Sequence, residues 1–106
     1  MHTIWKKLTY VVAQVATPVM DIRVSRNRAM SIHAVTTDAT GGTLTSFYVF
    51  KNPNDGTETE VQYTTKTMTA GTLAVLEYAY KVDFIRLKYT SGGVSGELLL
   101  SGTVSQ

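Results

Sequence analysis

Cysteine is absent from this 106-residue chain. Its absence excludes disulfides, thiolate nucleophiles and thiolate metal sites, so stability has to come from packing or from assembly with other chains. The sequence also lacks any apolar stretch near the roughly 20 residues of a membrane span. Its first ten residues lack the apolar segment and cleavage site of a secretory signal. We therefore expect no membrane partner and no export.

The chain also has little excess charge of either sign. It contains ten Lys and Arg residues and eight Asp and Glu residues, which gives a net charge of +2. One small basic group, formed by Arg23, Arg26 and Arg28, is far short of a nucleic-acid footprint, so we expect no specific nucleic acid partner. The two histidines, His2 and His33, lack metal-ligand spacing. The sequence therefore predicts no metal and no cofactor.

The length and the residue types predict one all-β domain that spans residues 1–106. Threonine recurs throughout, only two prolines occur, and β-branched and aromatic residues fill the runs between glycines. Apolar side chains alternate with polar ones along Ile85, Leu87 and Tyr89, as in a strand with one wet face. About seven or eight such strands predict an antiparallel β-sandwich or small jelly roll.

Turn signals suggest how these strands connect. Asn52 to Gly56 is the strongest turn in the chain. The polar stretch 25–28 suggests a hairpin between the strands near Met20 and Met30. The glycines between Ser91 and Gly96 suggest that the chain closes on a second hairpin.

The candidate chemistry is weak. Asp55, Glu58 and Glu60 follow a turn and could form a glycosidase pair or a calcium loop, but their two-residue spacing on one strand is also typical of a solvated face. No serine lies in a nucleophile motif. We therefore expect no enzymatic activity.

The surplus of apolar side chains is the feature most informative about function. The runs Leu8 to Ala16 and Phe47 to Phe50 are apolar on both faces, although a sandwich strand needs only one buried face. This predicts cover from another segment or another chain, with residues 1–16 as an assembly or edge strand. The candidate interface residues are Trp5, Tyr10, Val12, Phe47, Phe50 and Leu99. For Tyr10, Val12, Phe47 and Phe50 the pattern does not separate an interface role from a core role.

Three short motifs lie along most of the chain. They are a Thr17-Pro18 pair before an alternating strand, a Gly42-Thr43 strand leading to the Asn54-Asp55-Gly56 turn, and an ending in which Phe84, Ile85, Arg86 and Leu87 precede Gly96, Glu97 and Leu98. With these motifs the chain, from about Thr17 onward, resembles small β-sandwich structural proteins of tailed bacteriophages. The resemblance implies a jelly roll with an architectural role in capsid decoration, the head or neck, or the tail. One departure is that Glu58, Thr59 and Glu60 stand where related domains often carry a tryptophan.

Two hypotheses follow. The first is a non-enzymatic virion structural protein, made in the host cytoplasm, that binds its own copies, other virion proteins, or both. The alternative is a carbohydrate-binding sandwich that uses Tyr78 and Tyr80 beside Asn52 and Asn54 to attach an assembly to a glycan surface.

Overall fold

A computed structural model describes residues 2–23, 30–78 and 84–104. These residues form eight strands: β1 (His2–Tyr10), β2 (Thr17–Arg23), β3 (Met30–Thr36), β4 (Gly42–Lys51), β5 (Glu58–Met68), β6 (Ala74–Tyr78), β7 (Phe84–Ser91) and β8 (Gly96–Val104). No helix long and apolar enough to cross a membrane occurs among them.

The strands form two four-stranded antiparallel sheets. Sheet A has the order β1-β8-β3-β6, and sheet B has the order β2-β7-β4-β5. Packed face to face, the sheets make the double-layered sandwich of a jelly roll. The predicted fold class is thereby confirmed.

Two of the predicted hairpins are wrong. β2 pairs with β7 in sheet B, whereas β3 pairs with β8 and β6 in sheet A, and the stretch 24–29 between them lies outside the described residues. The hairpin predicted at the end of the chain is also wrong, because β7 belongs to sheet B and β8 to sheet A. The glycine-rich stretch after Ser91 therefore carries the chain from one sheet to the other. The Asn52–Gly56 turn does join a hairpin, β4–β5.

The first predicted strand is shifted. β1 ends at Tyr10, and the stretch 11–16 is a connection instead of a strand. It is fixed to β7, because Ser91 donates its backbone N–H to the Gln14 carbonyl and Thr90 Oγ1 accepts from the Ala16 backbone N–H. Thr17 and Pro18 then begin β2 at a sheet edge, where proline leaves no ladder bond unmade.

The core lies between the two sheets and is built from the alternate side chains that point inward. Its fully buried members include Ile22, Ile32, Leu44, Ile85, Leu87, Leu98 and Leu100. Gly102 allows close approach here, since a Cβ at that position would lie 2.7 Å from Ile22 Cδ1.

One end of the core is closed by buried hydroxyl groups around a carboxylate. The Tyr10 hydroxyl donates to Asp38 Oδ2 at 2.7 Å and lies 2.8 Å from the Tyr89 hydroxyl, which in turn is 3.0 Å from Thr36 Oγ1. Donation from the Thr40 hydroxyl and from Tyr10 lowers the pKa of Asp38 to about 2. Burial, followed by its bonds to Tyr89 and Asp38, raises the pKa of Tyr10.

This network accounts for the position of Tyr10, for which the sequence left an interface role and a core role open. Tyr10 is only 5% exposed and belongs to the core. Alternate side chains of β1 point inward, and this alternation continues to Tyr10, the last residue of the strand. There the phenol hydroxyl bonds to the buried carboxylate of Asp38. A charged residue at this position would disrupt the fold itself.

Candidate binding face

The outer face of sheet A carries several exposed apolar side chains that strand pairing brings together. Strand pairing places four residues in one row across the sheet, because Trp5 lies opposite Ser101, Ser101 opposite His33, and His33 opposite Val75. Directly opposed residues in antiparallel strands share a face. The row therefore runs from one edge strand of the sheet, β1, to the other, β6.

A second row adds further apolar side chains beside the first. Leu99 pairs with Lys7 on one side and with Val35 on the other. Leu73 lies directly before β6 and is 55% exposed, while Leu99 is 45% exposed and Trp5 is 76% exposed. We call the surface made by Trp5, Val35, Leu73, Val75 and Leu99 the Trp5 face.

The Trp5 face contains a shallow groove of about 340 Å³. Its lining consists of Trp5, His33, Val35, Leu73, Leu99, Leu100 and Ser101. Scattered exposed apolar side chains are ordinary, but a contiguous apolar patch with a concave centre marks an interaction site.

One ion pair lies at the border of this face. Lys7 Nζ lies 2.8 Å from Glu97 Oε2, and this lysine lowers the pKa of Glu97. His33 is exposed, and its Nε2 lies 3.0 Å from the Ser31 hydroxyl. The face therefore offers apolar contact with polar groups at its rim, which is the usual composition of a protein interface.

The outer face of sheet B is different, because lysine side chains cover its aromatic residues. Lys88 Nζ lies 4.7 Å from the centre of the Phe47 ring, and Lys51 Nζ lies 4.7 Å from that of Phe84. Val49, on the same face, is buried within the single chain. Side chains of this chain thus supply much of the second cover predicted for Phe47–Phe50.

An ion network occupies the rest of that outer face. The Arg86 guanidinium donates to Asp21, Glu58 and Glu60 at distances from 2.8 to 3.4 Å, and Lys88 donates to Glu60 at 2.6 Å. Bonds to Arg86 lower the pKa values of Asp21 and Glu58, and those to Lys88 and then Arg86 lower that of Glu60. This face is charged and internally satisfied.

The three carboxylates of the possible calcium loop already bind other groups of this chain. Asp55 Oδ1 accepts from the backbone and the hydroxyl of Thr57, which fixes the turn, while Glu58 and Glu60 bind the Arg86 guanidinium. Within the described ranges, no group of three or more His, Asp or Glu side chains could hold a metal ion.

The remaining predicted interface residues lie apart from the Trp5 face. Val12 is exposed in the connection between β1 and β2, at the end of the sandwich that holds Tyr10. Phe50 is exposed near the opposite end of β4. The structure therefore brings Trp5 and Leu99 together and separates them from Val12, Phe47 and Phe50.

The predicted glycan site cannot be assembled from the described residues. Asn52 and Asn54 lie in the β4–β5 turn, where Asn52 Oδ1 accepts the Asn54 backbone N–H at 2.9 Å. The Tyr78 side chain and all of Tyr80 lie outside the described residues.

Sequence reasoning missed Leu73, Val75 and Val35 as members of the exposed patch. The alternation of residues in β6 could have indicated the exposure of Val75. Ala74 and Leu76 point to one side of the strand and Val75 to the other, and only one side can face the core. Choosing the patch also required knowing that β6 lies in the same sheet as β1, which local patterns do not reveal.

Comparisons with known proteins bear on the fold. No protein-family model matches the chain, and no curated protein matches it. Among solved structures, the C-terminal family 22 carbohydrate-binding module of Clostridium thermocellum Xyn10B is similar, with a TM-score of 0.57, 11% identity, and 96% of this chain and 83% of that chain covered.

Two further structures are similar over nearly the whole chain. One is a longer Clostridium thermocellum Xyn10B chain with CBM22-1 and GH10 modules, complexed with xylohexaose, at a TM-score of 0.55 and 14% identity, with 96% of this chain and 26% of that chain covered. The other is a protein of the disulfide-linked pili that form Bacillus endospore appendages, at a TM-score of 0.54 and 16% identity, with 95% and 82% covered. This chain thus spans about a quarter of the longer xylanase chain, and these similarities show the β-sandwich fold alone.

Proposed function

We propose that this chain is a non-enzymatic structural protein of a bacteriophage virion that assembles through protein contacts made by the Trp5 face. The observation that carries the proposal is the contiguous apolar surface around an indole that is 76% exposed. Exposed tryptophans that can be buried in a facing groove are among the strongest contributors to protein interfaces. The virion setting is supported by the resemblance of the sequence from Thr17 onward to tailed-phage structural proteins.

A binding role fits the polar groups better than a catalytic role does. The buried hydroxyl and carboxylate groups around Asp38 bind one another, and Asp38 is only 2% exposed. The carboxylates of sheet B bind Arg86 and Lys88. The buried groups around Asp38 are therefore not placed to meet a substrate, as a catalytic acid or base must be, and the sheet B carboxylates are held in ion pairs.

The test is the solution mass of the purified chain by light scattering, with and without purified virion structural proteins. We expect a discrete complex or oligomer that Trp5→Arg abolishes, because a buried arginine in an apolar contact lacks a partner. Phe50→Arg is the matched control, since Phe50 is an aromatic residue of similar exposure outside the Trp5 face. A complex that survives Trp5→Arg but not Phe50→Arg would contradict the proposal.

A carbohydrate-binding role is the alternative, and one observation favours it. The Trp5 indole lies in the groove with His33 and Ser101, so an apolar ring surface has polar neighbours. Sugar rings bind at such arrangements because they stack on an aromatic face while their hydroxyls bond to polar groups. Binding of xylohexaose and a panel of other oligosaccharides, followed by Trp5 fluorescence, tests it: a saturable change supports a glycan role, and no change with any of them contradicts it.

A further inference from the structure

We propose that the partner of the Trp5 face is a second copy of this chain, packed face to face about a two-fold axis parallel to the strands. In this dimer, Trp5 of each copy packs against Leu73 and Val75 of the other. The inference rests on the proposed function, since it names the partner of the same face.

The strand order supplies the geometry. Trp5 is on β1 and Val75 is on β6, which are the two edges of sheet A, and pairing places both in the same row. A two-fold axis along the strands, between β8 and β3, exchanges the edges while keeping the rows in place. It therefore lays β1 of each copy over β6 of the other, and the interface repeats each contact twice.

The projecting and recessed parts of the face match this exchange. The highly exposed indole stands at one edge, and the groove extends from it across Leu99 and Val35 to Leu73 at the other edge. A copy turned about the axis offers its indole to the opposite end of the groove. Face-to-face sheets pack about 10 Å apart with their strands within about 30° of one another, so the strands can stay nearly aligned.

The charges of the face allow a second copy to approach. On the described part of this face, Lys7 is neutralised by Glu97, and Glu77 is the other carboxylate, on β6. Pairing places Lys7 in the row of Leu99 and Glu77 in the row of Ser31 and Thr103, so the proposed axis brings neither over a like charge of the other copy. The approach of two identical faces therefore meets no direct charge repulsion among these described residues.

The available area fits a modest dimer. Four strands spaced about 4.8 Å apart, two of nine residues, one of seven and one of five, give a face of roughly 500 Å². Two such faces bury roughly 1,000 Å², about the least that a specific interface should bury. We therefore expect a dimer that dissociates at micromolar concentration.

Trp5 is the only tryptophan in the chain, so its fluorescence reports directly on the proposed contact. The experiment combines sedimentation equilibrium with acrylamide quenching over a range of chain concentrations. We expect the mass to double while the emission shifts to the blue and quenching falls, all over the same range. A dimer whose indole remains fully quenchable, or a monomer at all concentrations, would overturn the inference.

A complementation experiment tests the exchange of edges. Trp5→Asp and Val75→Lys should each be monomeric at concentrations where the unaltered chain is dimeric. Their equimolar mixture should form a heterodimer, because one contact then pairs Asp with Lys and the other pairs the native Val75 with the native Trp5. Phe50→Asp is the control and should dimerise normally. Failure of the mixture to associate would overturn the proposed axis.

The inference can fail while the proposed function stands. If the chain is monomeric but binds a purified virion protein, and Trp5→Asp abolishes that complex, the second copy is the wrong partner and the face is the right one. If Trp5→Asp leaves such a complex intact, or if the chain is monomeric and binds no virion protein, both proposals are contradicted.

Discussion

Removing the Tyr89 hydroxyl tests the buried network that closes one end of the core. Tyr89→Phe keeps the ring in place and deletes the group that lies 2.8 Å from the Tyr10 hydroxyl and 3.0 Å from Thr36 Oγ1. All three residues are at most 5% exposed, so water cannot replace the lost partner.

The expected cost follows from one lost proton donor. Tyr10 donates to Asp38 and Thr36 to the Glu97 carbonyl, so the single Tyr89 proton bonds one of these two hydroxyls at a time. A neutral hydrogen bond contributes about 1 kcal/mol, and both neighbours keep their other partners. We expect a loss of about 1 kcal/mol, equivalent to roughly 4–8 °C in Tm for a domain of this size.

Urea unfolding followed by far-ultraviolet circular dichroism is the assay, at one fixed chain concentration because association would shift the midpoint. The midpoint should fall while the slope stays constant. Thr59→Val is the control, since it removes a hydroxyl that is exposed on β5, and it should change stability by less than about 0.5 kcal/mol. Equal effects of the two substitutions would refute the account of the network.

Three further outcomes follow from the structure. Gly41→Ala should destabilise more than Gly56→Ala in urea unfolding, because both glycines have positive φ but only a Cβ at Gly41 would meet the Met68 carbonyl oxygen. Leu98→Ala should cost about 2–5 kcal/mol in the same assay, because Leu98 is fully buried. Arg86→Gln should flatten the dependence of stability on acid pH. The carboxylates around Arg86 have lowered pKa values in the folded chain, so their contribution is present above about pH 4, the unfolded pKa, and is lost as the pH falls through the folded values; an unchanged pH profile of unfolding would contradict this.

The strands were predictable because their information is local. Alternation along Ile85, Leu87 and Tyr89 marks the buried phase of β7, and the Asn52–Gly56 turn marks a hairpin. Pairing was not predictable in the same way. A glycine-rich link has the same sequence pattern whether it joins neighbouring strands of one sheet or carries the chain between two sheets, as it does after Ser91. Long-range packing decides which strands pair, and the local sequence does not show it.

The candidate binding face was also predictable only in part, since its members could be found locally but their grouping could not. Trp5 and Leu99 could be singled out as surplus apolar residues, but their membership of one face with Val75 depends on β8 lying between β1 and β3. A core role and an interface role could not be separated for Tyr10, because its buried partners, Asp38 and Tyr89, are 28 and 79 residues away in the sequence.

The central claim is that the Trp5 face is the surface covered on assembly. Hydroxyl-radical footprinting, read by mass spectrometry on the free chain and on its assembled form, measures this side chain by side chain. The account predicts that Trp5, Leu73 and Leu99 lose reactivity on assembly while Phe50 and Val12 keep theirs. Protection of Phe50 or Val12 with Trp5 still fully reactive would contradict it.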